Sequence, residues 1–242
     1  MRDDLLDAYA AVDWAVTQLP SLQERIDSWL SRNLQVQIDH QPPPATHDRI
    51  IVFEKEPFPL SFNIEVGAYI NVIRSSLDML ASALSARHGL PENAAAHFPI
   101  YWSVHAFVDP IGGLESLTWL SNVEIEIIRS LQPYDGGNKT LFALHRLDIL
   151  RKHRRLLYVD LRPENFSIVG GLRREDLKPG RLRADVNTVL GSVPKATLDT
   201  EIKYSAYVTI DEAVFPGREP IVGTLNKFAG LANSIISLFD TP

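Results

Sequence analysis

One run of apolar residues at helical spacing constrains this chain more than any other feature. Between positions 63 and 87, Val66, Ile70, Ile73, Leu77, Leu80, Ala81 and Leu84 fall on a single stripe. "RHGLP" follows, with a Gly stop and a Pro beyond it. A helix with one apolar face buries it against other elements, so the expected frame is a helical bundle. Residues 3 to 32 supply another helix through Leu5, Tyr9, Val12, Val16, Leu19, Ile26 and Leu30, with Pro20 expected to kink or split it. "LSNVEIEIIRSLQPY" carries Ser121 as N-cap, Glu124 as its capping-box partner, Leu120 and Ile125 as a hydrophobic staple, and Pro133 as the stop. A last helix over 219 to 239 presents Val222, Leu225, Phe228, Ala232, Ile235 and Phe239.

Strand patterns interrupt this frame twice. "LQVQIDH" alternates Leu34, Val36 and Ile38 with polar residues, and "RIIVFEKE" follows the loop "QPPPATHD", which predicts a β-hairpin. After Tyr158 the period changes: "FSIVGG", "ADVNTVLG" and "TEIKYSAYVTI" are rich in β-branched and aromatic residues between Gly and Pro turns. The fold expected is α+β in a single domain over 1 to 242. Its bundle of four to five helices comes from 1–32, 63–157 and 219–239, with an inserted hairpin at 34–56 and a small antiparallel sheet at 158–212. "NAAAHFPIYWSVHAF" has no clear period and reads mostly as loop.

The composition fits this and narrows the chemistry. A 242-residue chain that is 45% hydrophobic can bury a continuous core without staples. With no cysteine, disulfides, thiolate nucleophiles and zinc-thiolate clusters are excluded. "MRDDLLDAYAAV" is acidic where a signal peptide is basic, and no uninterrupted apolar run approaches membrane-spanning length, so a cytoplasmic protein with no membrane partner is expected. The net charge of -6 argues against a nucleic-acid coat, yet Arg146 to Arg183 holds 11 Lys or Arg against 5 Asp or Glu. No phosphate-binding Gly loop, "HExxH" or nucleophile elbow occurs. His40, His47, His88, His97 and His105 read as polar surface in loops or strand ends, and the four tryptophans as core or helix-packing residues rather than base-stacking platforms.

The densest chemistry lies in "LFALHRLDILRKHRRLLYVD", residues 141 to 160. Projected at about 100° per residue as far as Leu157, Leu141, Phe142, Ile149, Leu156 and Leu157 define an apolar face, with His145 and Lys152 near its middle. Leu144 and Leu147 lie opposite, so the first half is apolar nearly all round and is expected to be buried. Charges there need partners. Asn71, Arg74 and Asp78 form a polar strip on the long helix, and antiparallel packing would let Asp78 meet Lys152, His145 or His153. That arrangement is an interhelical lock with no catalytic role. Arg151 to Arg155 complement the helix dipole, Arg154 and Arg155 being read as solvated.

Two reactive readings compete with the lock. Arg146 and His153 lie within about 20° on one face, where His153 can act as base or acid and Arg146 can stabilise a phosphorane in metal-independent RNA cleavage. Here "RLDILRKH" resembles the HEPN superfamily, small helical bundles of which many are RNases carrying an Arg followed by a His on a late helix. The resemblance covers the helices alone, and Leu147 departs from the polar residue usual after that arginine. It implies RNA or another phosphate-bearing ligand, no cofactor and a homodimer with its site at the helix interface. "RSSLD" with "LHRLDILRKHR" is also similar to paired signatures in an uncharacterised group of bacterial proteins, which implies a fold and no activity. A metal site at His145, Asp148 and Asp78 ranks lower, because Lys152 and Arg146 flank it and would repel a cation.

Overall fold

The computed structural model describes residues 2–91, 96–169, 188–195, 201–213, 215–216 and 219–240. Its long helices are α1 (Leu6–Asn33), α2 (Leu60–Arg87), α5 (Lys139–His153) and α6 (Ile221–Leu238). The shorter α3 (Val104–Phe107) and α4 (Asn122–Leu131) lie between α2 and α5. The stripe of α2 is buried along its length, from Val66 through Leu84. It meets α1, α6 and α5, and α1 also packs on α6. α1 runs unbroken through Pro20, which stays on its exposed side, so the expected split does not occur.

Helix ends follow the local chemistry. α2 stops where Gly89 adopts φ +77, with Leu90 N donating to Ser85 O and Gly89 N to Ala86 O. This is the paired closure that a left-handed glycine permits. α4 begins with the Ser121 and Glu124 capping box complete in both directions. Glu124 also takes His88 Nε2 at 2.6 Å, joining the start of α4 to the end of α2. Arg87 gathers further ends, donating to Asp4 Oδ2 at 3.0 Å and to Phe239 O at 3.3 Å.

The strands among the described residues form two three-stranded antiparallel sheets. β1 (Leu34–Asp39) pairs with β2 (His47–Glu54) in the expected hairpin, Ile38 opposite Ile50. The second edge of β2 is taken by β4 (Thr188–Pro194), with a register shift between Ile50 and Ile51. β3 (Val159–Val169) pairs with β5 (Glu201–Glu212), which also carries β6 (Phe215–Pro216). The late strands were expected to make one sheet, but β4 leaves it for the hairpin. Ile50, Ile51 and Val52 are all buried in β2, as in a strand covered on both faces, and β4 satisfies an edge that would otherwise be open. Much of the basic interval, including Arg173, Arg174, Lys178, Arg181 and Arg183, lies outside the described residues.

Candidate functional site

Asn138 starts α5 by accepting from Leu141 N at 3.0 Å. Leu141, Phe142, Ala143, Leu144 and Leu147 are buried, as the apolar first half predicts. α5 ends at His153, four residues before Leu157, and the backbone N–H groups of Arg154 and Arg155 both return to Leu150 O. Leu157 is buried beyond the helix, its carbonyl accepting from Asn63 Nδ2 at 2.8 Å.

That bond, just past the end of α5, leads into three steps that run antiparallel along α2 and α5. Gly67 faces Arg151 so closely that an added Cβ would stand 2.5 Å from Arg151 Cδ. Asn71 Nδ2 donates to Asp148 Oδ1 at 3.1 Å. Arg74 Nε donates to His145 Nδ1 at 3.4 Å. Positions rising by three or four on α2 meet positions falling on α5, which fixes the register of the pair.

The charges close on one another within this register. Arg74 is 4% exposed. Its guanidinium reaches Asp78 Oδ1 at 2.7 Å and Phe98 O at 3.3 Å. Asp78 Oδ1 also accepts Phe98 N at 2.9 Å, so one half-buried ion pair grips both backbone groups of Phe98. Asp148, 3% exposed, takes Lys152 Nζ at 2.6 Å on its other oxygen. The expected link from Asp78 to Lys152, His145 or His153 is therefore replaced. Asp78 binds within its own helix, Lys152 within α5, and the longer Arg74 side chain spans the gap.

His145 accepts at Nδ1, which places its proton on Nε2. Burial, reinforced by the positive charge of Arg74, pushes its pKa down to about 4. At neutral pH its ring is uncharged and its Nε2–H is a hydrogen-bond donor. His145 forms part of an open cleft of about 400 Å³ walled by α2, α5 and the 97–101 segment. Six of the residues singled out in the sequence meet there: Arg74, Asp78, His145, Asp148, Lys152 and His153. Arg146 does not line it; its guanidinium lies 4.3 Å over the Trp102 ring. Among the described residues no group of three or more His, Asp or Glu is placed to hold a metal ion.

The sequence reading missed the third wall. Phe98 is buried, while the His97 side chain is exposed 3.7 Å from Asp78. The aromatic density of "HFPIYW" was the available signal, because so apolar a segment seldom stays in water. Trp102 itself is 56% exposed, not core. Arg155 is likewise more than solvated: it makes a two-pronged bond to the buried Glu212 at 2.8 Å on each oxygen and stacks 3.8 Å over Tyr158. These contacts tie the end of α5 to β5.

No family model, curated protein or solved structure matches the chain. The α+β bundle and its cleft are thus read on their own chemistry. Among the described residues no helix is long and apolar enough to cross a membrane.

Proposed function

We propose that the chain is a non-catalytic binding protein whose cleft takes a phosphate-bearing ligand, over an ionic network that locks α2 to α5. The observation that carries this reading is how the polar groups divide. Both oxygens of Asp148 are occupied by Asn71 and Lys152, and Asp78 Oδ1 takes two donors. Donors remain on the cleft wall: the Nε2–H of His145, two further N–H directions of Lys152, and the ring of His153. A wall with donors to spare, on which both oxygens of Asp148 and one of Asp78 are engaged, suits an anionic oxygen cluster.

Calorimetric titration with ribose 5-phosphate tests this. Binding is expected, weakening with salt and falling roughly tenfold in His153→Ala, as loss of one hydrogen bond to a charged group implies. No binding, or equal affinity in the variant, would contradict it.

Metal-independent RNA cleavage is the second reading, favoured by His153 and His97 lining one cleft. It requires Arg146 to leave Trp102 and reach the phosphate. Nicking of unstructured RNA in EDTA, with cyclic phosphate ends and loss of activity in folded His153→Ala, would establish it over simple binding.

A further inference from the structure

Trp102 exposes 56% of its surface, yet its ring is held in place. Phe142 and His145 approach it edge-on with centroids at 6.2 and 6.4 Å, and the Arg146 guanidinium covers it at 4.3 Å. An indole fixed by a cation on its face and two rings in T-shaped contact, but left largely in water, is a prepared surface for a planar partner. His145 belongs to both structures: it touches Trp102 and it lines the cleft. Lys152 and His153 follow His145 and Arg146 by two helical turns, roughly 10 Å along α5. An aromatic platform therefore stands at one end of a line of donors whose other end is cationic.

Resting on the phosphate-binding reading above, we infer that the ligand is a nucleotide, its base stacked at Trp102 and Arg146 and its phosphate among His145 Nε2, Lys152 and His153. A sugar phosphate or phosphorylated side chain would use the donors and leave the platform idle. Every base offers a π-face, so the site selects nucleotides over other phosphomonoesters without reading which base is present.

The test uses the full chain and three probes: AMP, ribose 5-phosphate and a ten-residue single-stranded oligoadenylate. AMP is expected to bind roughly tenfold tighter than ribose 5-phosphate, within the range for one base on one aromatic ring. Trp102→Ala should lower AMP affinity to the ribose 5-phosphate level and leave ribose 5-phosphate unchanged, while Trp102→Phe keeps most of the difference. An oligoadenylate bound tighter than AMP assigns the site to single strands, and one bound equally assigns it to free nucleotides; both support the inference. Equal affinity for AMP and ribose 5-phosphate overturns it and leaves the phosphate reading standing. Binding of none of the three overturns both. The wild-type comparison of AMP with ribose 5-phosphate decides the matter even if Trp102→Ala does not fold.

Discussion

Asp148 and Lys152 form an ion pair whose two ends differ in burial, and that difference sets what each substitution does. The carboxylate is 5% exposed and the ammonium side chain 36%. Lys152→Ala leaves a buried charge held, among the described residues, only by Asn71 and a distant Arg151 Nε at 3.8 Å. It should cost roughly 2 to 3 kcal/mol, somewhat below a fully buried pair because the lysine is partly in water. Asp148→Asn keeps the shape, lets Lys152 turn outward, and should cost about 1 kcal/mol. Urea midpoints at constant slope measure both; equal costs would contradict this asymmetry. His145 gives a pH dependence whose sign follows from its depressed pKa of about 4 against an ordinary 6.5. The unfolded chain binds this proton first, so stability is full above pH about 6.5 and is lost as pH falls towards 4. The loss is on the order of 2 kcal/mol, allowing for the partial exposure of the ring. Unfolding free energies between pH 4.5 and 8, compared with His145→Gln, should show a flatter profile in the variant; identical profiles would refute the assignment.

Between helices, the same register that places these residues makes a prediction for Gly67. Alanine is worth about 1 kcal/mol more than glycine inside a helix. Here its Cβ would meet Arg151 Cδ at 2.5 Å and displace that side chain. Gly67→Ala should therefore be neutral or destabilising in the wild-type background and stabilising by about 1 kcal/mol once Arg151 is alanine. A double-mutant cycle with no coupling would show that the contact does not constrain α2 and α5. Much at this scale was legible in the sequence. The Val66 to Leu84 stripe and the Ser121 capping box are local patterns whose meaning needs no distant partner. The end of α5 was misread because apolar spacing continues to Leu157, whereas the Leu157 carbonyl is claimed by Asn63, 94 positions away. The link from Arg155 to Glu212 was hidden for the same reason.

Taken as a whole, the molecule assembles its cleft from three stretches of chain, and only two of them announce themselves. α2 and α5 carry periodic patterns; the 97–101 wall has none and is fixed by Asp78 and Arg74 gripping the backbone of Phe98. The pairing of β4 with β2 was equally invisible, since alternation marks a strand without naming its neighbour. With a net charge of -6, the molecule gives an anion little long-range attraction, so capture must depend on the local donors of α5. Side-chain 1H–15N NMR of the histidines during titration with ribose 5-phosphate at pH 7 addresses both lock and cleft. His145 should start as the neutral Nε2–H tautomer, and its signals should shift saturably together with those of His153. His40, paired with Asp48, and His88, paired with Glu124, should stay still. A His145 already protonated at pH 7, or no saturable shift at His145 and His153, would contradict the account.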